Sequence, residues 1–235
     1  MRLLLASLAI ALLAACSQRP APAPPAQDDA SPPVAATDPT PTPAQAAPAP
    51  AVDTPPAPAE AADPCDWTRI ALPQHRAMVE ATPQSLLDAV AAADGDVAQL
   101  RPLLERPALP LGEIDGAWRV RSLQSNLGSV FAYPYFAARI APADCGHAFA
   151  KTTGSQRRTG VLYPIAGQPD RLAFLGASTV NDDPPRGYDP ARPAGDQRPG
   201  EENSAGVLYR IGPDELLALL DARGDGRFEV YHLRR

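Results

Sequence analysis

The sequence predicts an α+β domain in which short N-terminal helices precede an antiparallel β-barrel or sandwich of about eight strands. Two observations lead to this expectation. The chain before Cys65 is dominated by proline and alanine, whereas residues 65–235 have the mixed composition of a globular domain. Within residues 65–235, the apolar spacing is helical at first and changes after Gly116 to the alternation typical of strands.

Residues 1–15 have the pattern of a bacterial signal peptide. Arg2 is followed by an apolar run from Leu3 to Ala15, which is too short to span a bilayer as a helix. The run ends in Leu-Ala-Ala-Cys16, which resembles the lipobox of bacterial lipoproteins. The resemblance implies cleavage before Cys16 and attachment of several acyl chains, palmitate among them, which together give a lasting membrane anchor.

Ser17 follows the predicted lipid-bearing cysteine. In lipoproteins of Gram-negative bacteria this pattern implies transport to the outer membrane. We therefore expect the chain to be held at the outer membrane through the lipid on Cys16, with its folded domain facing the periplasm.

Residues 16–64 are expected to form a disordered tether. Between Pro20 and Pro64 there are 15 prolines and 15 alanines, with no aromatic residue. Such a chain buries too little apolar surface to offset the entropy lost on ordering, and it favours extended polyproline-II conformations.

The globular part of the chain is nearly neutral. The net charge of the whole chain is −6, and it becomes −2 for residues 65–235 once the six acidic and two basic residues before Cys65 are set aside. A domain so close to neutral lacks the concentrated basic face of a nucleic-acid-binding protein, so we expect no nucleic-acid partner.

The cysteine count predicts one disulfide. With Cys16 modified by lipid, Cys65 and Cys145 remain as an even pair in an oxidising compartment, and we expect them to be bonded. We expect no metal and no cofactor, because there is no CxxC or HExxH motif and the three histidines are isolated in sequence.

Three short helices are expected at the start of the domain. Pro73 suits the first turn of a helix that runs to about Glu80. Thr82 and Pro83 have the residue types preferred at the N-cap and first position of the next helix. The third helix carries an apolar stripe from Val97 to Leu104.

Short strands follow, separated by Gly, Pro and Asp, with Pro134 indicating an edge or a bulge in the second of them. The expected strands are Trp118–Leu123, Val130–Ile140, His147–Thr152, Gly160–Ile165, Arg171–Ser178, Gly206–Ile211, Glu215–Leu220 and Phe228–Leu233.

The stretch Lys151–Gly160, KTTGSQRRTG, permits two interpretations. In the first it is a hairpin turn: Gly154 supplies a positive φ, Ser155 a local hydrogen bond, and the charged side chains are solvated. In the second, Gln156, Arg157 and Arg158 point into a concave face, where a guanidinium holds a carboxylate or a phosphate. The ligand-binding candidates are therefore Ser155, Gln156, Arg157, Arg158 and Tyr163. Tyr133, Tyr135 and Tyr163, on neighbouring strands, form either an aromatic wall beside this stretch or part of the core.

Several segments resemble a family of secreted bacterial domains known only as a domain of unknown function, number 4893. They are DWTRI, LRPLLERP, GAWRVRSL, AYPYFAARI, KTTGSQRRTGVLYP, RLAFLG and AGVLYRIG, and they cover most of residues 66–235. The most specific element is TGSQR, from Thr153 to Arg157, followed by GVLYP, from Gly160 to Pro164. The family carries no known activity, so the resemblance implies a domain type without implying a reaction.

These observations favour a lipid-anchored binding or inhibitor-type module with a lipocalin-like domain, whose ligand is a periplasmic protein or a small molecule. Inhibition of, or immunity to, a cell-wall-degrading enzyme is one version of this hypothesis. A second hypothesis is an envelope hydrolase that uses Ser155 or His147 with the acidic loop containing Asp182, Asp183, Glu201 and Glu202. A third is a scaffold that contacts peptidoglycan or an envelope assembly machine. No catalytic residue is identified, because no base or acid is identifiably placed to activate a nucleophile.

Overall fold

The computed structural model describes residues 63–126, 128–192 and 202–235. The predicted signal peptide, the lipidation site at Cys16 and nearly all of the predicted tether lie outside the described residues. In the described part of the chain, no helix is long and apolar enough to cross a membrane.

Four short helices lie at the start of the domain: α1 (Trp67–Ile70), α2 (Pro73–Val79), α3 (Pro83–Ala89) and α4 (Val97–Leu104). The three predicted helices correspond to α2, α3 and α4. Helix α3 begins as expected, because the Thr82 hydroxyl accepts a hydrogen bond from the Ser85 backbone N–H at 3.1 Å. The Thr82 N–H donates in return to the Ser85 hydroxyl, so both polar groups at this helix start are satisfied.

The rest of the domain is mostly β. The strands are β1 (Asp94–Gly95), β2 (Gly116–Asn126), β3 (Ser129–Ala132), β4 (Phe136–Ala143), β5 (Gly146–Lys151), β6 (Gln156–Ile165), β7 (Gln168–Val180), β8 (Asn203–Gly212), β9 (Glu215–Leu220) and β10 (Phe228–Arg234). Each predicted strand is present. The expected strand at Val130–Ile140 is divided into β3 and β4 by a break that contains Pro134, which has no N–H to donate to a ladder.

Eight of these strands close into an antiparallel barrel. Strands β4 to β10 form a meander in which each strand pairs with the next, and β10 pairs with β2. Strand β2 also pairs with β4, from Gly116–Ile140 to Val120–Phe136, and this pairing completes the circle. Beyond Val120 the same edge of β2 pairs with β3 instead. Of the predicted alternatives, barrel or sandwich, the structure is therefore a barrel.

The barrel interior is filled by side chains. Phe149 contacts Phe174 edge-to-face, with ring centroids 5.9 Å apart, and lies beside Tyr231 at 6.2 Å. A void of about 10 Å³ remains among them, which is close to the smallest volume that holds one water molecule. The inner cluster consists of Ile114, Trp118, Val120, Ala138, Ile140, Phe149, Leu162, Leu172, Phe174, Leu208, Leu216, Ala218, Leu220, Tyr231 and Leu233.

Two glycines make room for the central ring of this core. Gly160 and Gly176 are directly opposite each other in the β6–β7 ladder. A Cβ atom added to either would lie within 2.6 Å of the Phe174 ring. The interior therefore requires the absence of a side chain at both positions.

The helices cover part of the outer face of the barrel. Helices α1 and α2 place Trp67, Met78 and Val79 against Tyr163 and Leu175 on β6 and β7. Helices α3 and α4 cover β8, β9 and β10 in a second cluster, which includes Leu86, Val90, Leu100, Leu104, Val207, Leu217, Leu219 and Val230. Both faces of these central strands are buried, which explains why β8 and β9 are apolar almost throughout.

The two ends of the barrel differ, and one of them is covered by the chain. At the far end, where β6 ends and β7 begins, the Arg210 side chain donates hydrogen bonds to the carbonyls of Leu111, Glu113, Gly212 and Pro213. This arginine holds the segment before β2 across the end of the barrel. The Cys65–Cys145 disulfide lies at the same end, because Cys145 is in the turn between β4 and β5.

The disulfide confirms the prediction from the cysteine count. The two Cα atoms are 5.1 Å apart, and the bond joins residues 80 positions apart in the chain. It attaches the start of the domain, just before α1, to the barrel.

Replacement of both cysteines by alanine is expected to lower the free energy of unfolding by roughly 2–5 kcal/mol, because a bond that closes a long loop restricts the unfolded chain. Guanidinium-chloride unfolding of the double variant measures the loss. Reduction of the unmodified protein is the matched control and should give a similar value. A double variant within about 0.5 kcal/mol of the parent would contradict a stabilising role for the bond.

Candidate functional site at the open end of the barrel

The stretch Lys151–Gly160 is only partly a turn. Lys151 is the last residue of β5 and Gln156 the first of β6, so the turn is confined to Thr152–Ser155. Gly154 has φ +90°, as the turn interpretation expected. The same interpretation placed the charged side chains in solvent, and this is wrong for two of them: Lys151 and Arg158 are each 4% exposed. They lie opposite each other in the β5–β6 ladder and point into the barrel.

Arg158 forms a buried ion triad with two carboxylates. Its Nη2 atom donates to Asp221 Oδ2 and to Glu229 Oε2, both at 2.9 Å. Nη2 also approaches the Ser178 hydroxyl at 3.2 Å, and the guanidinium lies 5.0 Å from the centre of the Tyr231 ring. Arg158 faces inward because Leu162, four residues further along β6, belongs to the inner cluster and side chains of a strand alternate.

Both carboxylates have their oxygens occupied. Asp221 accepts hydrogen bonds from the Ser204 hydroxyl and the Ala205 backbone N–H, each at 3.1 Å, in addition to Arg158. Glu229 accepts from the Ser122 hydroxyl and from Gln124 Nε2 at 3.2 Å. Charged groups removed from water are tolerated only with such partners, so the network is largely satisfied. One exception is Arg158 Nη1, which is buried and has no hydrogen-bond partner among the described residues.

The burial of these groups shifts their pKa values. Burial raises the pKa of Asp221, and Glu229 adds to this effect against the opposing influence of Arg158. Burial alone would lower the pKa of Arg158, but the two carboxylates outweigh it and hold that pKa above its ordinary value. Arg158 therefore remains charged at any pH at which the protein is folded.

Lys151 is a buried cation without a carboxylate. Its Nζ atom donates to the Gln156 carbonyl and lies 4.6 Å above the centre of the Phe136 ring. Within the described part of the chain, no carboxylate oxygen lies within 4.0 Å of it. Burial lowers the pKa of Lys151, and the neighbouring arginines act in the same direction, against the opposing influence of Glu229.

The triad of Arg158, Asp221 and Glu229 lies at one wall of a pocket of about 160 Å³ that is open to solvent. The Gln124 Nε2 atom donates to Gln156 Oε1 at 3.0 Å across this end of the barrel. The mouth pocket is lined by Gln124, Gln156, Arg157, Arg158, Ser178, Glu202, Asp221, Glu229 and Tyr231. It can accommodate one small group of a ligand, at most a single ring.

Two exposed aromatic residues flank the mouth pocket. Phe131 is 51% exposed and Tyr133 is 42% exposed. Phe131 is directly opposite Gln124 in the β2–β3 ladder, so the two side chains are cross-strand neighbours on the same face of the sheet. The Tyr133 N–H donates to the Ser122 carbonyl at 2.9 Å, which continues this ladder by one position. An apolar surface therefore borders the polar pocket.

The structure brings three of the five predicted ligand-binding residues together. Gln156, Arg157 and Arg158 line the mouth pocket. Ser155 is exposed in the turn next to it, where its carbonyl accepts from the Asn181 N–H at 2.7 Å. Tyr163 is elsewhere: it faces outward from β6 and is buried in the cluster with Trp67, so it forms no aromatic wall with Tyr133 and Tyr135.

The residues considered for hydrolysis are separated. Ser155 is at the mouth, whereas His147 is at the far end of β5, bonded to Asp115 at 2.8 Å. Lys151 is four residues along β5 from His147, which alone separates them by roughly 13 Å. Asp182 is fully exposed, and Glu202 is paired with Arg223 at 2.9 Å. Glu201 lies outside the described residues.

Sequence reasoning missed both acidic members of the triad. Asp221 directly follows the predicted strand Glu215–Leu220, and an aspartate is common at the start of a turn. Glu229 could have been noticed in the sequence. It is the one carboxylate in the apolar predicted strand Phe228–Leu233, in which residues facing either side of the sheet are mostly apolar. The partner of these residues, Arg158, is more than sixty positions away in the chain, and only the folded barrel brings them together.

A larger groove of about 590 Å³ lies outside the barrel, between α2 and the loop after β9. His75 lies on its wall, and its Nδ1 atom is 2.6 Å from the Tyr188 hydroxyl, which accepts from the Leu72 N–H at 2.9 Å. When Nδ1 is unprotonated, it accepts the proton of this hydroxyl. Burial lowers the pKa of His75. The contacts of His75 are structural, so we place the candidate site at the mouth pocket.

Replacement of Arg158 by methionine is expected to destabilise the protein by about 3–5 kcal/mol, because it leaves two buried carboxylates without their cation. The triple change Arg158→Met, Asp221→Asn, Glu229→Gln removes the charges together and should recover most of that loss. Urea unfolding of the two variants and the parent measures both effects. A single variant as stable as the parent would mean that the triad is not buried in solution.

The lowered pKa of His75 predicts a loss of stability in acid. Below about pH 6.5 the unfolded chain binds a proton that folded His75 resists, so acidification favours unfolding by up to about 1.4 kcal/mol per pH unit. His75→Asn keeps an acceptor for the Tyr188 hydroxyl and should make this dependence shallower. Unfolding free energies at several values between pH 7 and pH 5 test the difference. His232, whose pKa is also lowered by burial, remains in both proteins as an internal reference. Parallel pH dependences for the parent and the variant would contradict the assignment.

Comparison with known proteins gives one match. No curated protein and no solved structure matches the chain significantly. The family model described as a domain of unknown function, DUF4893, matches residues 67–233, which include every helix and nearly all of the barrel. The mouth pocket and the ion triad lie wholly inside the matched region. The chain therefore belongs to the DUF4893 family, as the resemblance of its segments indicated.

Proposed function

We propose that this protein is a lipid-anchored, non-catalytic binding module of the periplasm that takes its ligand or partner at the mouth pocket. The observation that carries the proposal is the buried Arg158–Asp221–Glu229 triad beside a pocket open to solvent. Perturbed charged groups gathered in a concave site are typical of functional surfaces.

Stability alone does not account for the triad. Replacement of buried ion pairs by well-packed apolar side chains is often neutral or stabilising. The inner cluster below the mouth is apolar, so such a solution is available to this fold. Among the described residues Arg158 Nη1 also has no hydrogen-bond partner, which costs free energy. The charged residues at the mouth are therefore better explained by recognition of a ligand than by stabilisation of the fold.

In this proposal the likeness to lipocalins is limited to the closed eight-stranded antiparallel meander. The interior void of about 10 Å³ is far too small for a ligand, so binding takes place at the end of the barrel. The pocket of about 160 Å³ is itself smaller than a typical site for a drug-sized molecule. The ligand therefore inserts one small group, and the rest of it contacts the rim around Phe131.

The geometry favours binding over hydrolysis. Asp221 and Glu229 already accept hydrogen bonds at their oxygens, and both are held by one nitrogen of Arg158. A general acid or a nucleophile needs a free oxygen directed at the substrate. Ser155 and His147 are too far apart to act together. We therefore rank the envelope-hydrolase hypothesis second.

The start of the domain does not cover the mouth. The disulfide fixes Cys65 at the far end of the barrel, opposite the mouth pocket.

A bulky side chain introduced into the mouth pocket tests this function. Gln156 is exposed and does not contact the triad, so Gln156→Trp should fill the pocket without unfolding the barrel. The matched control is Gln84→Trp, on the exposed side of α3. Each protein is mixed with the low-molecular-mass fraction and, separately, with the protein fraction of a periplasmic extract. Thermal stabilisation is measured with the first fraction, and capture with the second.

We expect the parent and Gln84→Trp to respond to at least one fraction and Gln156→Trp to lose that response. An equal response from all three proteins would place the binding site elsewhere. No response from any of them would contradict the binding function.

A further inference from the structure

We infer that the mouth pocket recognises a neutral glycan, with one sugar ring seated among the amide and charged side chains and the apolar face of a ring against Phe131. This inference rests on the proposed function and names the ligand class of the same site. Four properties of the mouth support it: its charge balance, its unused hydrogen-bonding atoms, its aromatic rim and its size.

The charges at the mouth cancel. The buried cations Lys151 and Arg158 are matched in number by the partly buried anions Asp221 and Glu229. On the rim, Glu202 is paired with Arg223 at 2.9 Å, and Arg157 lies 4.0 Å from Asp182. A site without net charge offers no long-range attraction to a strongly anionic or cationic ligand. It suits a neutral ligand that hydrogen-bonds to donors and acceptors of both kinds.

Two amide groups have atoms available for such a ligand. Gln124 uses its Nε2 atom to donate to Gln156 and Glu229, and its Oε1 atom accepts no hydrogen bond. Gln156 uses its Oε1 atom as an acceptor, and its Nε2 atom donates to no group. These statements refer to the part of the chain that the structure describes. A free acceptor beside a free donor matches the hydroxyl or acetamido groups of a sugar.

The rim supplies the apolar part of the contact. Phe131 and Tyr133 are the large hydrophobic side chains that remain exposed among the described residues. Phe131 is a direct cross-strand neighbour of Gln124, so an aromatic ring and a free amide oxygen lie on one face. The C–H groups on one face of a sugar ring carry partial positive charge and pack well on the negative face of an aromatic ring. A ligand can therefore use both surfaces at once.

The size of the mouth pocket limits the ligand. A volume of about 160 Å³ accommodates one ring, and the interior void offers no continuation into the barrel. A long acyl chain would need such a continuation. An extended glycan does not, because its neighbouring units lie outside the pocket, over the rim.

The first test is calorimetric titration with the tetramer of N-acetylglucosamine. The purified full-length chain is kept in a detergent without sugar headgroups, so that the detergent does not compete. The variants are Phe131→Ala, Gln156→Trp and, as the matched control, Arg139→Ala on the outer face of β4. Phe131 and Arg139 are exposed, so both alanine variants should unfold at the same urea concentration as the parent.

We expect saturable binding of the tetramer by the parent and by Arg139→Ala. Phe131→Ala should bind about five- to tenfold more weakly, as expected for loss of an important aromatic contact. Gln156→Trp should show no binding. Equal affinity in all four proteins would overturn the assignment of the glycan to the mouth.

A second titration uses a short peptide of glutamates and separates this inference from the proposed function. Binding of the peptide in place of the tetramer would overturn the glycan assignment and leave a mouth that recognises an acidic protein segment. No binding of the tetramer, together with a response to periplasmic extract that Gln156→Trp abolishes, would reject only the ligand class. No response to the tetramer, the peptide or the extract would reject both proposals.

Discussion

Closure of the barrel depends on one long strand that pairs along both of its edges. Strand β2 pairs with β10 on one edge and with β4 on the other. Without the β2–β4 pairing, β4 would be an unpaired edge strand, with exposed N–H and C=O groups along it. Because β4 starts at Phe136, the second half of β2 extends beyond it and pairs with β3. Strand β2 thus closes the barrel and, through its pairing with β3, also places Phe131 at the mouth.

The different chemistry of the two ends explains why one of them is the candidate site. At the far end, Arg210 satisfies backbone carbonyls of the segment that lies across the barrel, and its charge is used within the fold. At the mouth, Arg158 is held by side chains at the wall of an open pocket. A charged group therefore borders a solvent-accessible pocket at the mouth, whereas Arg210 is fully committed to structure.

Local patterns predicted much of the fold. Thr82 and Pro83 marked the start of α3, and Glu215–Leu220 was predicted with the bounds that β9 has. Lys151–Gly160 was harder to interpret, because a run of polar residues between two glycines looks the same in a turn and in a strand that enters a polar mouth. The burial of Arg158 depends on residues of β9 and β10 that close around it, and no pattern within the stretch contains that information.

The sequence by itself determined the helical lead, the positions of the strands along the chain and the cysteine pairing, because apolar periodicity, capping residues and residue counts are local or additive properties. The sequence also predicts the N-terminal signal peptide and the lipid anchor at Cys16, and both stay predictions. Tertiary structure alone decided between barrel and sandwich, since closure depends on which strands meet at the edges. It also decided that Gln124, Arg158, Asp221 and Glu229 share one pocket, because the attraction that joins them acts only after the chain has brought its distant strands together.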